Sequence, residues 1–312
     1  MAFTTDDLVA SIARGVTLPS YDPLLNTADI LALANEEMQT RIVPMIRALR
    51  QEFFVTTASQ VLISGQDAYT LPARAVGRTL RDLKLVCPGV TKRKLVYIEP
   101  EEEHFYGNTG SGGEPVGFFF RGDSFVLRPT PLVTSSTYSL EVWYELRPSS
   151  LIPVSAAGKV VSVDFVNNLV VLTQAPAVVL PGSTVDFISS SGGHSLVGMD
   201  LSINAISGNQ LAFTLVPPTL AVGDYCAPSQ QSPVVMLPDD VFPVLAQAVQ
   251  CRILEAIGDM ENLQAAKMTL TEKIVETQKL LAPRVEGEVR KVTNRQGLLR
   301  RGTAARFSRR FF

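Results

Sequence analysis

The sequence predicts an α+β fold: a helical bundle built from the N- and C-terminal helices, with an all-β sheet and a small β-barrel unit inserted between them and an extended C-terminal arm. Three observations carry that class. Apolar residues recur at three- and four-residue steps near each end of the chain. Short β-branched and aromatic runs, separated by Gly, Asn, Ser and Pro, fill the middle. From Arg284 onward the chain turns basic and glycine-punctuated.

The first helix is expected over Thr27–Glu52. Ile30, Leu33, Ala34, Met38, Ile42, Ile46, Leu49 and Phe53 fall on one stripe, while Glu36, Glu37, Arg41, Arg47 and Arg50 fall mostly elsewhere. Asn26 or Thr27 can cap its start. Pro44 lacks the donor for an internal hydrogen bond, so a bend is expected near Arg41.

From Val55 to Leu237 the pattern is β. The runs VYIEP, FFFRGDSFVLRP, YSLEVWYEL, KVVSVDF, NLVVLT, TVDFIS, SINAIS, QLAFTLV and DYCAP read as short strands. The break PSSLIP, Pro148–Pro153, divides a first β unit from a second of about 80 residues, small enough for a closed barrel of five or six strands.

A second helical region runs from Asp239 to Leu281. Pro238, Asp239 and Asp240 mark its start, and Pro243 falls within the first turn, where a missing donor costs little. Val244, Leu245, Ala248, Cys251, Leu254 and Ile257 form one stripe; Leu263, Ala266, Leu270, Ile274 and Leu281 form another. Gly258 followed by Asp259 reads as a C-cap and a new N-cap, hence a helical hairpin; one long helix tolerating Gly258 is the alternative. The chain thus divides into 1–54, 55–152, 153–237, 238–283 and 284–312.

Composition bounds the function. A chain of 312 residues with 46% hydrophobic content can bury one large core or two to three small ones. Its longest apolar stretches are broken before the roughly 18 residues a membrane span needs, and Asp6 and Asp7 stand where an export signal would be basic, so neither export nor a membrane role is expected. Cys87, Cys226 and Cys251 are scattered singly, which suggests neither a disulfide framework nor a thiolate metal site.

Catalytic patterns are sparse. His104 follows Glu101, Glu102 and Glu103, which reads as a solvated acidic helix start rather than a ligand set. His194 lies in SSSGGHS, a flexible-loop composition without a GxSxG elbow. The sequence contains no GxxxxGK[ST], no HExxH and no GxGxxG after a strand, so no enzyme and no cofactor is expected. Arg121-Gly122-Asp123 is read as a tight hairpin turn with positive φ at Gly122, and Tyr69, Leu71, Pro72 and Arg74 as a strand end followed by a proline-fixed turn.

The net charge of −2 hides an asymmetry. Nine of the 28 basic residues but only two of the 30 acidic ones fall from Arg284 onward, leaving the body at about −9 and the tail at about +7. Arg284, Arg290, Lys291, Arg295, Arg300 and Arg301 alternate with glycines, and Leu298, Leu299, Phe307, Phe311 and Phe312 add apolar anchors. Such a segment is expected to be an arm that orders on a partner. Arg and aromatics serve both stacking on nucleic acid and protein interfaces.

The runs ILALANEEMQTRIVPMIRALRQEFFV, AYTLPARAVGRTLRDL, FFFRGDSFVLRPTP and LLAPRVEGEVRKVTNRQGLLR resemble the head-to-tail adaptor (connector, or neck) proteins of tailed bacteriophages, over about Ile30 to Arg300. That resemblance implies a homo-oligomeric ring, twelve-fold in this family, docked beneath the portal protein, with C-terminal arms reaching the portal. It also implies a downstream tail or nozzle protein, and genomic DNA passing through the channel without specific binding. The setting implied is the virion neck. A tail or tube component of the virion is the alternative, and a virion-associated hydrolase a remoter one.

Overall fold

The computed structural model describes residues 3–16, 26–50, 52–87, 89, 92–107, 113–132, 138–176, 179–191 and 196–282. The chain opens with α1 (Thr5–Val16), which the sequence reading did not anticipate. Its buried face is only Thr5, Leu8 and Ile12, three positions that are too few to announce a period on their own.

Next comes α2 (Thr27–Glu37), capped as expected by Asn26. The Asn26 side chain accepts from the Asp29 amide, and the Asp29 carboxylate accepts from the Asn26 amide, a reciprocal capping box. Pro44 does not break the helix. A π-helical turn, Met38–Ile42, precedes α3 (Val43–Leu49), and the Val43 amide donates to Met38 five residues back. Wider hydrogen-bond spacing is a recognised way to accommodate an irregularity of this kind in a helix. The helix stops at Leu49, three residues short of the expected Glu52. Glu37 is also corrected: it lies in the buried layer, 3% exposed, because arginines meet it there.

The first β region contributes β1 (Val55–Val61), β2 (Ala68–Thr70), β3 (Ala75–Val86), β4 (Lys92–Lys94) and β5 (Val96–Tyr97). A short α4 (Glu103–Gly107) follows a 3-10 turn, and then come β6 (Gly117–Arg121), β7 (Ser124–Arg128) and β8 (Ser139–Leu146). They form two four-stranded sheets ordered β1-β8-β3-β4 and β2-β7-β6-β5. The strand β8, SLEVWYEL, alternates half-buried and buried along its whole length, as a strand with one face on a core must. Leu83, Leu85, Phe125, Leu127, Leu140 and Val142, all fully buried, sit in the core between the sheets.

The second β region enters through β9 (Ser150–Leu151) and closes into a six-stranded barrel, within the expected range. Its strands are β10 (Gly158–Asp164), β11 (Leu169–Leu172), β12 (Thr184–Ile188), β13 (Leu196–Ser207), β14 (Gln210–Phe213) and β15 (Tyr225–Pro228), in the order β10-β11-β14-β13-β12-β15. Val170, Val185, Phe187, Ile203, Leu211 and Cys226 fill it. The chain leaves through β16 (Gln231–Ser232), which pairs in parallel with β9, so entry and exit are stitched together.

Two helices close the described chain: α5 (Phe242–Ile257), with Pro243 in its first turn, and α6 (Met260–Leu281). Gly258 adopts φ +83° as the C-cap, and Asp259 receives the Asn262 amide at the start of α6. The expected helical hairpin is therefore observed, and the one-helix alternative is not. Leu263 and Leu270 are buried and Ile274 partly so, but Ile257 is 51% exposed and leaves the stripe assigned to it, since the α5 face has turned to solvent one residue before the cap. Helices from both ends of the chain share one core that includes Ile12, Ala34, Ile46, Leu245, Val249 and Leu263.

Candidate functional site

The basic arm expected to carry partner binding, Arg284, Arg290, Lys291, Arg295, Leu298, Leu299, Arg300, Arg301, Phe307, Phe311 and Phe312, lies outside the described residues. His194 does too, and His104 falls within α4. No group of three or more His, Cys, Asp or Glu among the described residues is arranged to hold a metal. Cys226 and Cys251 are buried, and burial pushes the Cys226 thiol well above its ordinary value, which keeps it a neutral apolar side chain. No helix among the described residues is long and apolar enough to cross a membrane.

The Arg-Gly-Asp turn is a hairpin turn. Arg121 pairs with Ser124, Gly122 adopts φ +58°, and the Leu71 amide donates to the Asp123 carbonyl, so the tip is also part of the β2 connection. Behind it, Arg128 holds α4 against the sheet: Nη1 lies 2.7 Å from Asp67, Nε donates to Glu103 at 3.0 Å, and Nη2 pairs with the same Glu103.

A strongly basic strand, Lys92-Arg93-Lys94 on the edge strand β4, is electrically matched. Lys92 pairs with Glu141, Arg93 with Glu114 at 3.4 Å, and Lys94 with Asp82 at 3.2 Å. The Lys92 hydrogen bond, helped by Trp143, holds the Glu141 carboxyl below its ordinary value. Paired with carboxylates, these cations present less net positive charge to a phosphate backbone than unpaired ones would. What the strand does is guard a sheet edge with charge.

Where the first β region meets the barrel, a charged junction is buried. The guanidinium of Arg74, 5% exposed, places Nη2 at 2.6 Å from Asp186, 2.9 Å from the Ser229 hydroxyl and 3.0 Å from Asp200. Asp186, fully buried in β12, also accepts the Asp200 and Gln230 amides, each at 2.9 Å. Burial pushes the Asp186 carboxyl up, against the pull of those amides and of Arg74. The sequence reading of Arg74 as structural fits this placement, but its partners, 112 and 155 positions away, carry no local signal.

Two apolar patches are exposed. At one end of the barrel, Phe165 and Val166 are 50% and 89% exposed in a turn held by Asp164, which accepts the Val166 and Asn167 amides. Leu215 is also exposed, and the next residue's amide, that of Val216, donates to Asn168 of the same turn. On α6, Met268 and Val275 are exposed more than a quarter turn from Leu263 and Leu270, and Met260 is exposed at the helix start. Rigid apolar tips and second apolar helix stripes are what protein contacts use.

A family model described as SU10 adaptor protein matches residues 3–185, from the start of the described chain into β12. That match stops well before LLAPRVEGEVRKVTNRQGLLR, the last of the four runs that carry the resemblance. No curated protein matches the chain.

Proposed function

Because the chain belongs to the SU10 adaptor protein family, as the match over 3–185 shows, we propose that it is the subunit of a head-to-tail adaptor ring that docks beneath the portal and forms part of the DNA channel of a tailed phage. The family match is the observation that carries this reading, and the adaptor role itself makes the protein a structural virion component. The remaining features agree in kind. A body with closed cores and exposed apolar tips suits lateral contacts in a ring of twelve, while a basic, aromatic arm suits a clamp on the portal.

The body carries an excess of acidic over basic residues, and its basic edge strand is neutralised in place. A channel wall of that character does not grip passing DNA, because affinity for duplex comes from Lys and Arg free to meet phosphate. The five segments read from the sequence then have roles: helices of a bundle at 1–54 and 238–283, sheet and barrel at 55–237, and the portal-binding arm at 284–312. A downstream tail or nozzle protein would occupy the opposite face.

Negative-stain imaging of the purified protein, alone and mixed with portal, tests the reading. Rings that stack coaxially on portal are the expected result. A protein that stays monomeric with portal present, and co-sediments with isolated tail tubes instead, would overturn it in favour of the tail-component alternative.

A further inference from the structure

Asn168, Asp200 and Gln230 are the non-glycine residues with left-handed backbone among the described residues, and two of them, Asp200 at φ +53° and Gln230 at φ +65°, donate their amides to the same carboxylate. Left-handed backbone is strained for a side-chain-bearing residue, Gln especially, and persists only where surroundings impose it. Here the imposing group is Asp186, and what balances Asp186 is Arg74 from the turn before β3. The Nε of Arg74 is buried with no hydrogen-bond partner among the described residues, so its binding is strong at one end of the guanidinium and unsatisfied at the other.

The rest of the junction is thin. The buried core of the barrel draws its members from Val160 to Cys226 and shares none with the buried core of the sheets. Apolar contact across the boundary comes from partly buried Leu196 and Met199, which pack on the sheet core, with the Tyr144 hydroxyl 3.9 Å from the Met199 sulfur. The covalent stem is the two-residue β9–β16 pair, extended by the Ser150 amide to Gln230 and the Ile152 amide to Ser232. A small cluster of Ala157, Ile188, Ala227 and Val234 packs at the barrel root.

We propose that Arg74 is a release latch: its guanidinium fixes the barrel to the sheet by holding Asp186, Asp200 and Ser229 together, and its withdrawal lets the closed barrel pivot as a rigid body about the β9–β16 stem. The Asp200 side chain, 44% exposed, is the solvent-facing rim of the latch, so the ion pairs can part without opening the barrel core. A barrel tied to the sheet through one buried guanidinium, a short stem and a few apolar contacts has two arrangements available to it, latched and free, the free one leaving Asp186 without its countercharge. This inference concerns the monomer fold and does not depend on the adaptor reading.

Hydrogen exchange on the full chain decides it. In Arg74→Met, the Asp200, Gln230, Ser150 and Ile152 amides should exchange at least about tenfold faster, while the Leu172 and Phe213 amides of the barrel and the Leu146 amide of the sheet keep their protection. Peroxide should also oxidise Met199 faster than in the parent, with the buried Met236 unchanged. Equal acceleration at all of these positions would mean the junction is part of one common core, and no change at Ser150, Ile152 and Met199 would mean that Arg74 latches nothing; either result overturns the proposal. Should Arg74→Met not fold, Arg74→Lys is compared by the same criteria, because a single ammonium cannot span Asp186, Ser229 and Asp200 together.

Discussion

The Nε of Arg252 on α5 lies 3.0 Å from a carboxylate oxygen of Glu37, whose side chain is 4% exposed at the end of α2. Arg41 reaches the other oxygen at 3.3 Å from within the π-helical turn, and Arg252 also meets Glu36 at 2.7 Å. One buried carboxylate therefore ties α5 to the place where the first helix changes its hydrogen-bond spacing.

Arg252→Met should lower the melting temperature more than Arg41→Met, because Arg252 alone joins two separate helices. A buried carboxylate is screened little by salt, so the gap between the variants should survive in 1 M NaCl. Thermal melts at low and high salt check both statements; identical melting for the two variants would show that joining two helices adds nothing to the Glu37 contact.

Large-to-small changes on α6 should separate by burial. Leu263→Ala and Leu270→Ala remove side chains 3% and 6% exposed and should each cost about 2–5 kcal/mol, whereas Ile274→Ala, only partly buried, should cost less. Met268→Ala, 69% exposed, should be near neutral in the isolated protein. Urea unfolding at constant m-value measures the order.

Acid should weaken the sheet edge through Glu141. The Glu141 carboxyl is held below its ordinary value of 4.5 by Lys92, so its folded pKa is lower than its unfolded one. Its contribution is present above about pH 4.5 and is lost as pH falls through the depressed folded value. In Lys92→Met that share of the loss should disappear, giving a shallower fall in the urea midpoint between about pH 5 and 3. A parallel fall in both proteins would assign the acid sensitivity elsewhere.

What could be read in the sequence was whatever local chemistry decides. Gly258 before Asp259, the Arg121–Ser124 turn and the Asn26 cap each need only a few neighbouring residues, and each forms as read. The barrel was legible because closely spaced strands of that length close on themselves more readily than they lie open. Illegible features depend on distant partners. Glu37 looked like a surface residue until Arg252 came to it, 215 positions along, and Arg74 looked like a turn residue until Asp186 did. Helix α1 escaped because its buried face is so short.

Removing the arm should leave the body intact. The buried stripe of α6 ends at Leu281, the last core residue among the described residues. A chain ending at Pro283 should therefore be soluble and melt in one cooperative transition close to that of the full protein. Loss of the transition on truncation would mean that the arm contributes to the body's stability.

The arm itself should bind portal rather than DNA. Its cations, Arg284, Arg290, Lys291, Arg295, Arg300 and Arg301, suit either partner, but Leu298, Leu299, Phe307, Phe311 and Phe312 give the arm apolar anchors that duplex phosphate has no use for. A segment that orders on docking loses conformational freedom, so a single arm should bind weakly and a ring of arms tightly, through effective concentration. Deleting Leu298–Phe312 should abolish attachment to DNA-filled heads while the body stays folded. Portal binding by the isolated arm should also weaken less steeply with salt than pure charge pairing would, since apolar burial is indifferent to screening. Unchanged occupancy of heads by the truncated protein, or tighter binding of the isolated arm to duplex DNA than to portal at physiological salt, would remove the portal clamp from this protein's function and leave the arm as a DNA contact.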